Sequence, residues 1–99
     1  MNKINFKLAD AFNTHNPALI VIEDMGFSFG IIPDEKSDEE SETGIGNWYA
    51  IKDDKEFIAS DPLSLLGLIT IWLKRGINWR SDDDRDLYME AMSNAYGDE

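Results

Sequence analysis

The clearest pattern of apolar and polar positions in this chain begins at Asp61 and ends at Gly76. Asp61 suits a helix N-cap, and Pro62 suits the first helical position because proline has no N–H to leave unpaired. Lys74 and Arg75 place positive charge at the negative end of the helix dipole, where a glycine can close the helix. The segment therefore predicts a helix whose apolar stripe contains six side chains: Leu65, Leu66, Leu68, Ile69, Trp72 and Leu73.

Two further segments have helical spacing, one near each end of the sequence. Residues 3–13 are predicted as a first helix because four apolar residues share one face: Ile4, Leu8, Ala11 and Phe12. Ser81 is a predicted N-cap for a last helix, whose apolar face contains Leu87, Tyr88, Ala91, Met92, Ala95 and Tyr96. We expect this last face to pack against Leu63 and Ile71 of the central helix.

Four short runs rich in β-branched and aromatic residues predict strands, at residues 18–22, 27–32, 47–52 and 56–60. A tight polar turn, Asp53-Asp54-Lys55, joins the last two runs into a hairpin. The predicted order is α-β-β-β-β-α-α, which is typical of an α+β fold with helices on one face of a small antiparallel sheet. With 99 residues, the chain is predicted to form a single domain.

The composition changes abruptly at about residues 34–46, where almost nothing is apolar. Six carboxylates lie in this stretch: Asp34, Glu35, Asp38, Glu39, Glu40 and Glu42. Such a stretch cannot form a packed element, so we predict a flexible, solvated loop. It lacks the alternating acidic spacing of an EF-hand. The loop is either a solvated spacer or an electronegative arm that docks against Lys and Arg of a partner.

A second acidic cluster and a pair of aromatic residues are further candidates for partner contact. The cluster comprises Asp82, Asp83, Asp84 and Asp86, and it either complements the dipole of the last helix or meets a partner. Trp48 and Tyr49 come directly after the acidic loop. In a strand with two faces, one of them points into the core and the other outward, where it can anchor a partner. The alternative is that core or loop covers both.

The charge balance restricts the function more than any motif does. Nine Lys and Arg against 20 Asp and Glu give a net charge of −11. Nucleic acid and anionic membranes repel such a protein and basic protein surfaces attract it, although solubility alone is also a sufficient reason for the charge. There is no cysteine and one histidine, and we find no catalytic or nucleotide-binding motif. We therefore predict a binding protein without enzymatic activity, metal or cofactor.

The first residues lack the apolar core of a signal peptide, and no apolar run has the length of a membrane span. A cytoplasmic protein is the resulting expectation. The predicted partner is a protein with a basic surface, with no direct nucleic-acid binding and no membrane association.

In size, charge and α+β organisation the chain resembles bacterial immunity proteins, including those of contact-dependent growth inhibition systems, which neutralise a nuclease toxin made by neighbouring cells. The resemblance implies tight one-to-one binding to the toxin's catalytic domain, at the active site or an adjacent exosite. It rests on overall character, so no residue role is carried over. Three alternatives stay open: a phage-type nucleic-acid mimic that inhibits a host defence protein, a metal-binding domain, and a housekeeping domain whose acidity serves solubility.

Overall fold

A computed structural model describes residues 4–33 and 46–97 of the chain. The acidic loop predicted at about residues 34–46 lies outside this range, apart from Gly46. The described residues form three α-helices and three strands: α1 (His15–Asp24), β1 (Ser28–Ile32), β2 (Asn47–Lys52), β3 (Lys55–Ala59), α2 (Pro62–Arg75) and α3 (Leu87–Tyr96). The α+β class is confirmed, but the described order is α-β-β-β-α-α, with three strands where four were predicted.

The three strands form one antiparallel sheet in the order β1-β2-β3. The predicted hairpin is confirmed, and its two-residue turn is closed by the pairing of Lys52 with Lys55. Asp53 in that turn has a φ of 58°. Aspartate is one of the few side chains that tolerates this left-handed conformation, which explains an acidic residue at the tip.

The two elements predicted before β1 are wrong. Residues 4–11 form neither helix nor strand, and residues 18–22, predicted as a strand, lie inside α1. Pro17 lies in the first turn of α1, where its missing N–H costs no helical hydrogen bond. Ala18 and Ile22 are both buried and stand four residues apart. The short apolar run is therefore the buried stripe of a helix.

Helix α2 is capped as predicted. The Asp61 carboxylate accepts a hydrogen bond from the Ser64 backbone N–H at 2.8 Å, which lowers the pKa of Asp61. At the other end Gly76 has a φ of 69°, and Lys74 and Arg75 occupy the last turn. Helix α2 has 14 residues, and none of the described helices is long and apolar enough to cross a membrane.

The core lies where α1 and α2 pack on one face of the sheet. Its fully or almost fully buried apolar residues are Ile22, Phe27, Ala50, Leu65 and Ile69. The buried stripe of α2 is narrower than predicted, because Leu68 and Leu73 are 39% and 56% exposed. Within the described chain α2 packs mainly on α1 and the sheet, and several apolar residues on its remaining sides are exposed to solvent.

Helix α3 begins later than predicted and lies apart from the core. Its N-cap is Asp86, whose carboxylate accepts from the Met89 backbone N–H at 3.1 Å. Ser81 is wrong as the cap because it opens a preceding turn, in which the Asp84 carboxylate accepts from the Ser81 N–H. No residue of α3 is buried, and within the described chain α3 makes no extensive contact with another helix or strand.

The predicted packing of α3 onto Leu63 and Ile71 is therefore wrong. These two side chains are 37% and 43% exposed. Arg75 binds the connector between the two helices at the C-terminal end of α2, and α3 starts beyond that anchor.

Candidate protein-interaction surface

Among the described residues, helices cover one face of the sheet and leave the other face open. Phe29, Ala50 and Phe57 are cross-strand neighbours, and they pack in or against the core. Because side chains alternate along a strand, their sequence neighbours Gly30, Tyr49 and Ile58 belong to the opposite face. We call this opposite side the outer face.

The outer face is apolar and half-exposed. Ile32, Ile51 and Ile58 are exposed by 38%, 40% and 45%. Tyr49 is half-buried and lies between Gly30 of β1 and Ile58 of β3 in the strand register. Four apolar side chains thus make a contiguous surface with an aromatic residue at its centre, which is the anatomy of a protein-binding site.

Gly30 allows Tyr49 to lie across the neighbouring strand. A Cβ at position 30 would stand 2.7 Å from the Tyr49 Oη and 2.9 Å from its ring carbons. Any other residue there would push the ring away. The tyrosine therefore lies over Gly30 at the centre of the outer face.

Trp48 and Tyr49 lie on different faces of β2. Trp48 packs against the core cluster, and Tyr49 faces outward. The sequence pattern named Trp48 and Tyr49 without indicating which of them faces outward, and it did not include the three isoleucines around Tyr49. A signal was present, since residues 48–51 are all apolar and both faces of β2 therefore carry apolar side chains.

The six acids of the predicted loop, from Asp34 to Glu42, lie outside the described residues. The segment that carries them joins the end of β1 to the start of β2. Ile32 pairs with Asn47 at that point, so both flanks of the segment stand at one end of the sheet. The acidic segment is therefore attached directly beside Ile32 of the outer face.

Two of the four acids in the second cluster have structural partners. Asp84 binds the Arg75 guanidinium through both oxygens, at 2.8 and 2.9 Å, and also accepts from the Ser81 N–H at 3.1 Å. The Arg75 hydrogen bonds, helped by that of Ser81, lower the pKa of Asp84 to about 2. Asp86 is the cap of α3.

Asp82 and Asp83 remain as exposed carboxylates in this cluster. Neither carboxylate forms a hydrogen bond or an ion pair with another described residue. Of the four predicted contact residues, these two are the ones available to a partner without breaking an internal bond.

In residues 4–33 and 46–97, no three His, Asp or Glu side chains are grouped so that they could hold a metal ion. A groove of about 410 Å³ lies between the N-terminal segment, α1 and α2, and it is lined mainly by apolar side chains such as Leu8, Val21 and Leu66.

Comparison with protein-family models, with curated proteins and with solved structures finds no match for this chain. Its class is therefore defined by its own fold and surface. It is an acidic α+β domain in which, over residues 4–33 and 46–97, helices cover one face of a three-stranded sheet and the other face is apolar and half-exposed.

Proposed function

We propose that this chain is an acidic protein-binding module, and that it binds and neutralises a basic nuclease-type toxin domain as an immunity protein does. The observation that carries the proposal is the outer face, with Tyr49 at its centre, in a chain of net charge −11. An exposed apolar surface marks a contact site, and the charge indicates the kind of partner.

The apolar and acidic parts would have different roles in the complex. Well-packed aromatic and aliphatic side chains at the centre of an interface contribute most of its affinity. Charges around that centre mainly raise the association rate and exclude partners of the wrong sign. Tyr49 and its isoleucines would therefore hold the partner, while the acids of residues 34–42 attract and orient it.

The negative charge is not neutralised inside the molecule. Three ion pairs occur among the described residues: Lys55–Asp54, Arg75–Asp84 and Arg85–Glu90. Each ion pair uses one positive and one negative charge, so the net charge of −11 is unchanged. The paired Lys and Arg side chains are then no longer available to balance the other acidic residues. A surface of this sign suits a partner whose cleft normally receives a phosphate backbone.

Capture of the partner tests the proposal. The purified chain is immobilised and exposed to a lysate of its source cells at low salt, and bound protein is eluted with a salt gradient. We expect a basic nuclease to elute, and we expect one equivalent of the chain to abolish its activity on DNA or RNA. Elution of a host defence protein would instead support nucleic-acid mimicry, and a nuclease that stays fully active in the complex would contradict inhibition.

A matched pair of variants shows whether Asp82 and Asp83, the exposed aspartates in the connector between α2 and α3, contact the partner. The test variant is Asp82→Asn/Asp83→Asn, and the control variant, at the end of α1, is Glu23→Gln/Asp24→Asn. Each variant removes two exposed negative charges. Contact at the connector predicts slower association for the first variant only. Equal rates for the two variants would show that these aspartates act through net charge alone.

A further inference from the structure

Helix α3 is amphipathic, and among the described residues it packs extensively on no other helix or strand. Leu87, Tyr88 and Tyr96 are exposed by 59%, 72% and 79%, and Met92 is the most covered of its large side chains at 39% exposed. An isolated helix shorter than about 12–15 residues is only marginally stable in water. Since α3 has ten residues, its apolar face needs a surface to pack on.

A suitable surface exists between α2 and the edge strand β3. A groove of about 300 Å³ runs there, lined by six apolar side chains: Phe57, Ile58, Leu68, Ile71, Trp72 and Trp79. Leu68 and Ile71 stand three residues apart on α2, which is the spacing of a helical ridge, and both are open to solvent. Trp79, 52% exposed, forms a wall of this groove.

The same chain's α3 is held away from this groove. Arg75 donates to the Trp79 carbonyl at 3.1 Å and binds both oxygens of Asp84, so it ties the connector to the end of α2. Within the described residues α3 makes no extensive contact with α2 or β3. An apolar helix and an apolar groove are thus open at the same time in one molecule.

We propose that α3 of one copy docks in the α2–β3 groove of a second copy, and that the second copy does the same in return. Such an exchange is self-complementary and closes as a two-fold dimer, without further growth. Each contact joins four exposed apolar side chains of α3 to four exposed ones of the groove. At roughly 100 Å² of exposed area for each side chain, the two contacts cover on the order of 1,600 Å², the size of a standard stable interface.

The charge gives this dimer a signature that a complex with a basic protein does not have. Two chains of net charge −11 repel each other, and salt screens that repulsion. The dimer therefore becomes more stable as salt is added, whereas binding to a basic partner becomes weaker. The groove shares Ile58 with the outer face but does not include Tyr49. Ile71→Lys therefore tests the dimer and Tyr49→Ala tests binding of the basic partner, and either proposal can fail without the other.

Sedimentation velocity of the full chain tests the dimer. We expect a species of twice the 11.3 kDa chain mass, with a larger dimer fraction at about 0.5 M than at about 0.05 M NaCl. Ile71→Lys should give a monomer, while Ile20→Lys should leave the dimer intact. Both isoleucines are helical and similarly exposed, 43% and 49%, but Ile20 lies on α1 outside the groove.

Disulfide capture identifies the contact directly, because the chain contains no cysteine. A mixture of the single variants I71C and M92C, oxidised gently, should yield a crosslinked pair containing one chain of each kind. A mixture of I20C and M92C should yield far less. A monomer at both salt concentrations, or a dimer that survives Ile71→Lys and does not crosslink through the first mixture, would overturn the proposal.

Discussion

At the scale of single residues, two glycines show how the same substitution can have opposite effects. Gly30 lies under the Tyr49 ring, and a Cβ there would stand within 3 Å of it. Gly67 lies on α2, where a Cβ would meet nothing within 4 Å. The sequence does not distinguish these two positions, because the distinction depends on which residue the strand register places opposite Gly30.

We expect Gly30→Ala to destabilise the protein by about 1 kcal/mol, since the Tyr49 ring must leave its place on the sheet. Gly67→Ala should stabilise it by about 0.5–1 kcal/mol, because alanine is the better residue inside a helix. Urea denaturation measures both changes. Equal effects of the two substitutions would show that Tyr49 does not lie over Gly30.

The contribution of Asp84 to stability depends on pH. Arg75 holds the pKa of Asp84 at about 2, below its ordinary value of 3.8. A carboxyl whose pKa is lower in the folded state stabilises the fold above the ordinary value and loses that effect as pH falls through the lowered one. The difference in melting temperature between wild type and Asp84→Asn should therefore be present at pH 7 and disappear as pH falls from 3.8 towards 2.

Asp82→Asn is the control for this experiment, because its carboxylate has no partner among the described residues. Its melting temperature should follow that of the wild type at every pH. A difference between Asp84→Asn and wild type that is as large at pH 2 as at pH 7 would contradict the ion pair with Arg75. The pair itself could not be predicted from sequence, since it joins residues nine positions apart across an irregular connector.

At the scale of elements, a helix was predicted correctly where the sequence contains residues that mark both its start and its end. Helix α2 carries its cap, its proline, its basic last turn and its closing glycine in the sequence, and all four are confirmed. Helix α1 lacks a side-chain cap and contains Pro17, so its β-branched run favoured a strand. The burial of Ala18 and Ile22, and the packing of α1 on α2 and β1, outweighed that preference.

Two leucines of α2 test which side of the helix is core. We expect Leu65→Ala to cost about 2–5 kcal/mol, because Leu65 is fully buried and its removal leaves a cavity. Leu73→Ala should cost less than about 1 kcal/mol, because Leu73 is 56% exposed. Chemical denaturation measures the free energy of unfolding of both variants. Similar losses of stability in the two variants would contradict the narrow buried stripe of α2.

At the scale of the whole molecule, the charge is evident from composition and the contact surface is not. The acidic residues by themselves favour a partner with a basic surface. The outer face depends on where the helices pack, and a single sequence does not specify which side of a small sheet they cover. The position of α3 was predicted wrongly for a similar reason. Its amphipathic pattern indicates that its apolar face needs a surface to pack on, but the pattern does not specify which surface.

The most direct test of the central claim is the affinity of the purified chain for its captured basic partner, measured at about 0.05 M and 0.5 M NaCl. We expect the affinity to fall at high salt, and we expect Tyr49→Ala to weaken it by at least about tenfold at both concentrations. Tyr96→Ala, which removes an exposed tyrosine from α3, should leave it unchanged. An affinity that depends neither on salt nor on Tyr49 would contradict an acidic binding module whose anchor is the outer face.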